Sequence, residues 1–208
     1  MTIKPDEPWG RTIDRPVDLV VVHGDRDLAT RLAAMRDGHS GPPVFATGGD
    51  LARTLGGSPI DGRPTVNELP VDLVDVRLDG GAVVTTACAH IVVTNPWWRG
   101  GWCRGAVVVV MNAEYIGDWD VAPRGHPNDG RVEVFELDSA LGFRQRVQAR
   151  RRVRSATHLP HPGISTRSVR SASWSFDRSM KVMVDGRRVG TTLDLEVVVA
   201  PDAAVVHA

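Results

Sequence analysis

The first third of the chain combines short apolar runs with segments of helical spacing. Residues 17–22 (VDLVVV) are β-branched and apolar, which predicts a buried strand. In residues 27–36, Leu28, Leu32 and Met35 recur at i, i+4 and i+7, the spacing of an amphipathic helix. A second strand is predicted from Val44 and a second helix over residues 50–55, ended by a Gly-Gly pair. Strand, helix, strand, helix with short links predicts a small parallel α/β unit.

After about residue 66 the pattern changes to alternation of apolar and polar positions. Residues 71–78 alternate, Asp79-Gly80-Gly81 predicts a hairpin turn, and residues 82–94 predict one further extended run. Helical spacing reappears only over residues 139–151. The other predicted strands are residues 106–111, 131–137, 168–176, 181–184 and 193–199.

This change of pattern predicts a chain of α/β plus β class. Residues 1–66 are expected to form a small α/β lobe, which the family resemblance described below marks as a truncated lobe of nucleotide-binding type. Residues 67–208 are expected to form a larger antiparallel β-sandwich lobe, whose last strand can return to the first lobe. A chain of 208 residues suits one large domain or two small ones.

Three segments, in a fixed order, carry a family resemblance. Residues 111–135 (MNAEYIGDWDVAPRGHPNDGRVEVF) run from a strand through a Gly117 turn and a tight turn at 127–130 into an alternating strand. Upstream lie the glycine segments HGDRD (23–27) and ATGGDLAR (46–53). The order resembles the family of diacylglycerol kinases, sphingosine kinases and bacterial lipid kinases, which carries Gly-Gly-Asp-Gly-Thr and Gly-Thr-Gly-Asn-Asp-Phe-Ala-Arg at these two places.

The resemblance implies an α/β nucleotide lobe, a β-rich lobe and an active cleft between them. It also implies ATP-dependent phosphoryl transfer to a lipid or lipid-like hydroxyl, with ATP and Mg²⁺ as cofactors. The chain resembles a minimal or degenerate member, because only about sixteen residues precede the first predicted strand. Residues 94–105 also replace a long helical segment that family members often carry.

The resemblance places nucleotide contacts in the two glycine segments, at Gly24, Asp25, Arg26, Thr47, Gly48 and Asp50. A glycine turn that opens a helix presents backbone N–H groups to phosphate. Arg26 stands where the family has glycine, and it either blocks the phosphates or supplies a cation to them. The plainer alternative is that Asp50 and Asp27 simply cap helices.

The resemblance identifies Asp185 as the catalytic base that takes the proton of the acceptor hydroxyl. Asp185-Gly186 follows a predicted strand, and Arg187 replaces a family glutamate. The alternative is that Asp-Gly between two strands is only a hairpin turn. Metal ligands stay unassigned, since Asn128 stands where family members commonly have aspartate.

Charge and tryptophan suggest an anionic partner. Between Arg144 and Arg188, eleven Arg and one Lys stand against two Asp, which gives +10 in a chain of zero net charge. The arginines at 144–154 are too crowded to form core easily, so they predict either a contact with anionic lipid or a solvated face. Trp97, Trp98 and Trp102 suit a membrane interface if exposed and core if buried.

The sequence predicts a cytoplasmic protein, peripheral at the membrane if the arginines bind lipid. It has no apolar run of about 18 residues, no apolar signal-peptide core at its N-terminus, and two cysteines without metal-type spacing. No nucleic acid is expected as a partner, and a homo-oligomer stays open. Two hypotheses remain, a lipid kinase and a catalytically inactive relative that acts as a binding or assembly module. Asp25, Asp50 and Asp185 favour the first, and the altered glycines favour the second.

Overall fold

The computed structural model describes residues 9–57, 59–154, 156–157 and 159–208. Three α-helices accompany the described strands: α1 (Asp25–Arg36), α2 (Asp50–Thr54) and α3 (Phe143–Val153). Two 3₁₀ turns lie at Trp97–Arg99 and Gly101–Cys103. The strands are β1 (Arg11–Asp14), β2 (Val20–Val22), β3 (Val44–Ala46), β4 (Thr65–Leu78), β5 (Val83–Ala87), β6 (His90–Thr94), β7 (Val107–Met111), β8 (Tyr115–Ile116), β9 (Trp119–Asp120), β10 (Val132–Leu137), β11 (Ile164–Val169), β12 (Ser171–Val184) and β13 (Arg187–His207).

Eleven of the described strands form one large sheet, in the order β1-β4-β13-β12-β6-β7-β10-β11. Strand β5 pairs with β4, and β2 pairs with β3, which joins β13; β8 and β9 form a separate hairpin. Only the β2–β3 and β3–β13 pairings are parallel. The predicted large antiparallel sheet is confirmed, but its strands share one hydrogen-bonded network instead of two separate sheets.

The sheet curves around a valine-rich core. Val74 of β4 and Val134 of β10 belong to one buried cluster, although four strands separate β4 from β10 in the sheet. The same curvature lets the Asn112 side-chain amide, which follows β7, donate to the carbonyl oxygen of Asp72 in β4 at 3.0 Å. A second cluster, which includes Leu28, packs α1 and α2 against β4 and β13.

The first predicted strand is shorter than expected, and the first helix is longer. The strand comprises only Val20–Val22, and Val17 is fully exposed, because the polar Asp18 and the preceding turn interrupt the apolar run. Helix α1 begins at Asp25, two residues before the predicted start. Gly24 supplies its extended N-cap, so Asp25 lies in the first turn, where the helix dipole favours an acidic residue.

The predicted boundary near residue 66 falls within β4, which begins at Thr65. Strand β13 runs beside β4 and ends with His207 paired to Phe45 of β3, so the last strand contacts the first α/β elements. The division into two domains stays a prediction. The predicted strand at 168–176 starts in the end of β11, and its remainder joins the predicted strand at 181–184 in β12, because a register shift between Ser175 and Met180 absorbs the polar interruption.

The predicted run over residues 82–94 is divided into β5 and β6. Cys88 and Ala89 separate the two strands. Their backbone N–H groups donate to the Asp185 carboxylate and are therefore turned away from the strand ladder.

The expectation that the arginines of α3 stay out of the core is wrong at Arg146, which is 1% exposed. Its guanidinium donates to the carbonyl oxygens of Leu141, Trp102, Gly105 and Asp138. Four fixed acceptors satisfy the buried donors, which is the condition under which a charged group can be buried. The helix itself starts at Phe143, four residues after the predicted Ser139.

Candidate functional site

The two glycine segments meet at the ends of the parallel strands β2 and β3. The backbone N–H of Thr47 donates to the carbonyl oxygen of Val22 at 3.0 Å, and the Thr47 hydroxyl lies 2.8 Å from the His23 Nδ1 atom. A Cβ atom on Gly48 would lie 2.7 Å from the His23 carbonyl oxygen. Only glycine permits so close an approach, so the two segments form one interlocked loop pair.

Asp25 joins this loop pair to α2. Its carboxylate accepts the backbone N–H groups of Asp50 at 2.6 Å and Leu51 at 2.9 Å, so it caps the N-terminus of α2 from another helix. Gly49 has a φ of 95°, and a Cβ atom there would lie 2.5 Å from the Asp25 carboxylate. Burial raises the pKa of Asp25 to about 6 against the opposing effect of these two hydrogen bonds, with further increases from Asp185 and Asp50.

The Asp50 side chain is half-buried and contacts two other segments. One carboxylate oxygen accepts the backbone N–H of Gly117 at 2.7 Å, and the other lies 3.2 Å from the His90 Nδ1 atom. Burial lowers the pKa of His90, but the surrounding carboxylates of Asp50, Asp185 and Asp25 outweigh it and hold that pKa above its ordinary value. Asp50 therefore joins α2 to the Gly117 turn and to a buried histidine.

Asp185 lies at the two-residue turn between β12 and β13. Asp185 and Gly186 have φ angles of 46° and 75°, as a type I′ hairpin turn requires. The Asp185 carboxylate is buried and accepts the backbone N–H groups of Cys88, Ala89 and His90 at 2.9, 3.0 and 2.9 Å. Burial raises the pKa of this carboxyl, while the hydrogen bonds and His90 oppose the rise. Asp185 is therefore both a residue of the hairpin turn and the carrier of a buried carboxylate.

Asp185 also borders an open cleft of about 380 Å³ between α1, β5 and the β12–β13 turn. Arg26 enters this cleft from the first turn of α1, and Arg187 enters it from β13. Both arginines are exposed. The remaining lining is residues 29, 30, 33, 36, 37, 83–86, 184 and 189. The cleft is thus lined by Asp185 and by two exposed arginines that can reach an anionic ligand.

Comparisons with known proteins give fold-level matches. The crystal structure of a diacylglycerol kinase from Bacillus anthracis str. Sterne is similar, with a TM-score of 0.61 and 15% identity, and the match covers 91% of this chain and 75% of that one. A protein of the same organism, provisionally assigned as a diacylglycerol kinase, matches with a TM-score of 0.64 and 16% identity, covering 91% of this chain and 77% of that one. This chain has the diacylglycerol kinase fold. Its sequence matches no protein-family model and no curated protein.

Within this diacylglycerol kinase fold, the structure gathers part of the predicted site. Asp50 and Asp185 contact His90, Asp25 contacts the backbone of Asp50, and Arg26 lines the cleft beside Asp185. Thr47 and Gly48 instead contact His23 in the loop pair, and Gly24 has open space at its Cβ position. The aspartates therefore come together, while the glycine segments lie mainly against each other.

Two residues of this region were not predicted from the sequence. His90 lies inside an apolar strand run, and a single histidine there gives no signal of three aspartates packed around it. Gly49 could have been found, because a second consecutive glycine before a helix indicates a close backbone approach.

The turn Asn128-Asp129-Gly130 is held by Asp72. The buried Asp72 carboxylate accepts the backbone N–H of Gly130 at 2.6 Å and that of Asp202 at 2.8 Å. The Asn128 side chain donates to the same carboxylate at 3.3 Å. Among the described residues, no group of three or more His, Cys, Asp or Glu is arranged to hold a metal ion. The contacts of this turn are those of a structural element.

No helix in the described part of the chain is long and apolar enough to cross a bilayer. Cys88 and Cys103 are both free. Cys88 is buried, and burial raises the pKa of its thiol well above the ordinary value.

Proposed function

We propose that the protein catalyses ATP-dependent phosphoryl transfer to the hydroxyl of a lipid or lipid-like acceptor. The observation that carries the proposal is the position of Asp185. Asp185 borders a cleft that two exposed arginines also line, and Asp25 and Asp50 belong to the same group of interacting carboxylates. The fold shared with the diacylglycerol kinases supports the proposal, although a fold by itself does not determine function.

In this proposal Asp185 acts as the base. It accepts the proton of the acceptor hydroxyl while the hydroxyl oxygen attacks the γ-phosphorus of ATP and ADP leaves. The raised pKa of its carboxyl makes it a stronger proton acceptor than an ordinary aspartate. The three backbone hydrogen bonds fix its orientation, so little positional freedom has to be lost during the reaction.

The first turn of α1 is the proposed place for the phosphates. Gly24 leaves the approach to the helix N-terminus open, and Arg26 and Arg187 supply positive charge from two sides of the cleft. Arg26 is therefore assigned to phosphate binding instead of blocking. Thr47, Gly48 and Asp50 are proposed to support this loop without contacting the nucleotide directly.

Mg²⁺ fits this proposal as an ion that arrives on the phosphates. Such an ion needs only one or two protein carboxylates beside the phosphate oxygens and water. Asp25 and Asp185 are the candidates, because both Asp25 oxygens and the Asp185 Oδ2 atom accept one backbone N–H group each and keep a second lone pair. The ion would neutralise charge that develops on the transferred phosphoryl group.

The second candidate function is a catalytically inactive binding or assembly module. One observation favours it: all three aspartates already have structural partners, since Asp25 caps α2, Asp50 joins Gly117 to His90, and Asp185 holds the 88–90 segment. A module could retain these aspartates for stability alone.

Calorimetric titration with ATP and Mg²⁺, followed by assay of γ-phosphate transfer to diacylglycerol in mixed micelles, distinguishes the candidates. The kinase proposal expects saturable ATP binding and a phosphorylated lipid product. Binding without transfer to any tested hydroxyl lipid would favour the module. Absence of ATP binding by the folded protein would contradict the kinase proposal.

A further inference from the structure

Three large aromatic side chains are unusually exposed on one part of the surface. Trp97 is 80% exposed, Trp98 is 61% exposed and Phe143 is 60% exposed. Aromatic rings of this size normally bury most of their area. Their exposure therefore calls for a partner that accepts apolar rings.

These three rings belong to two segments that are fixed to each other. Trp97 and Trp98 lie in the loop of residues 95–105, and Phe143 opens α3. Gly100, Cys103, Arg104 and Gly105 line one side of the gap between these segments, and residues 139–143 line the other. The buried Arg146 of α3 donates to carbonyl oxygens of this loop, at Trp102 and Gly105.

The loop is also braced internally. The Asn95 side chain donates to the Arg104 carbonyl oxygen at 2.8 Å, and the Arg150 guanidinium lies 5.1 Å from the centre of the Trp102 ring. Trp97 and Trp98 meet edge to face, with ring centres 6.0 Å apart. A braced loop loses little conformational freedom when its exposed rings enter another phase.

The charge around these rings is mainly positive, with Asp138 as an exposed acidic residue next to the gap. Arg99, Arg104 and Arg144 are exposed beside them. Neither residues 95–105 nor α3 contains an aspartate or glutamate. We call the surface formed by Trp97, Trp98, Phe143, Arg99, Arg104 and Arg144 the aromatic–arginine face.

We propose that the aromatic–arginine face docks on the surface of an anionic lipid bilayer. Tryptophan prefers the bilayer interface, where its ring is buried and its N–H stays hydrated. Arginine is attracted by the negative potential of anionic headgroups. The combination of exposed tryptophans with three exposed arginines fits a bilayer surface better than a protein interface core, which is depleted in charge.

This proposal is independent of phosphoryl transfer. The aromatic–arginine face shares no residue with the cleft that Arg26, Arg187 and Asp185 line. Loss of membrane binding would therefore leave ATP binding unchanged, and loss of ATP binding would leave membrane binding unchanged.

The test is co-sedimentation of the full chain with vesicles of phosphatidylcholine alone and of phosphatidylcholine with phosphatidylglycerol. Three double variants are compared with the unmodified protein. Trp97→Ser with Trp98→Ser removes the rings, and Arg99→Gln with Arg104→Gln removes rim charge. Arg15→Gln with Arg63→Gln is the matched control, since both arginines are exposed and lie outside the face.

The proposal expects binding to the anionic vesicles only, and binding that weakens as salt rises. Loss of Arg99 and Arg104 should reduce the partition constant roughly thirtyfold, about fivefold to sixfold for each charge. The tryptophan variant should lose binding as well, and the Arg15/Arg63 control should lose much less.

Three results would overturn it. One is equal recovery with both vesicle types at low salt. A second is binding that persists without Trp97 and Trp98. The third is self-association that those tryptophans maintain in the absence of lipid binding, since it would make the face a contact between two copies. Circular dichroism of each variant verifies that it folds. We expect the variants to fold, because the replaced side chains are exposed.

Discussion

Asp25, the first residue of α1, accepts the backbone N–H of Asp50, the first residue of α2, at 2.6 Å. One buried carboxylate thus fixes the start of one helix to the start of another. The interlocked glycine segments depend on this contact, because Gly49 passes directly over the Asp25 carboxylate. The contact can be tested without any ligand.

Gly49→Ala should destabilise the protein by about 2–4 kcal/mol. A Cβ atom there would lie 2.5 Å from the Asp25 carboxylate, and the φ of 95° is unfavourable for alanine. Gly38→Ala is the matched control, since Gly38 has a φ of 86° but nothing within 4 Å of its Cβ position. Urea unfolding of both variants measures the difference. Equal losses would show that the close approach to Asp25 contributes nothing.

Asp25 should also make stability fall as pH rises. Its folded-state pKa of about 6 lies above the ordinary value of 3.8, so the folded state holds the proton more tightly than the unfolded state does. The contribution of Asp25 to the free energy of unfolding is fully present below about pH 4 and is lost as pH rises through about 6.

Comparison with Asp25→Asn isolates this contribution. The free energy of unfolding of the unmodified protein, minus that of the variant, should decrease between pH 4 and pH 6. The asparagine also loses one backbone acceptor, which lowers stability at every pH and leaves the pH slope intact. A pH-independent difference would contradict the buried, proton-retaining state of Asp25.

Arg26→Ala should weaken ATP binding by about tenfold, roughly 1.4 kcal/mol. The reason is that Arg26 lines the cleft beside Asp185 and can contact phosphate there. Arg31→Ala on the same helix is the control, because Arg31 is exposed and lies outside the cleft lining. Tighter binding after loss of Arg26 would mean that this arginine obstructs the nucleotide.

Arg146→Met should cost about 3 kcal/mol or more of unfolding free energy. The substitution removes a buried guanidinium that donates to four backbone carbonyl oxygens. Those oxygens then lose the hydrogen bonds that the guanidinium donates. Arg144→Met, at an exposed position of the same helix, should stay within about 0.5 kcal/mol of the unmodified protein. Similar thermal unfolding of both variants would contradict a core role for Arg146.

The sequence predicted most elements of the fold, because alternation and helical spacing are local signals. The helix near residues 27–36, the short helix at 50 and the strand ending at Met111 appear close to their predicted positions. The β5–β6 break was not predictable, because its cause is Asp185, about 100 residues away in sequence.

The candidate site was predictable only in part, for a similar reason. The order of motifs that resembles the family pointed to Asp25, Asp50 and Asp185. That order does not predict which residues these aspartates contact. The capping of α2 by Asp25 and the position of His90 among the carboxylates arise from tertiary contacts. The composition of α3, with five arginines in eleven residues, predicts a solvated helix. The burial of Arg146 is the opposite of that prediction.

Asp185 is proposed as the base for phosphoryl transfer, and the turnover of Asp185→Asn tests this role. Initial rates of γ-phosphate transfer from ATP to diacylglycerol are measured beside ATP affinity and the thermal unfolding midpoint. Asp61→Asn, at an exposed aspartate, serves as the control. We expect Asp185→Asn to lose about a hundredfold or more in turnover. Its ATP affinity should be retained, and the variant should still fold. Turnover equal to that of the unmodified protein would contradict this role.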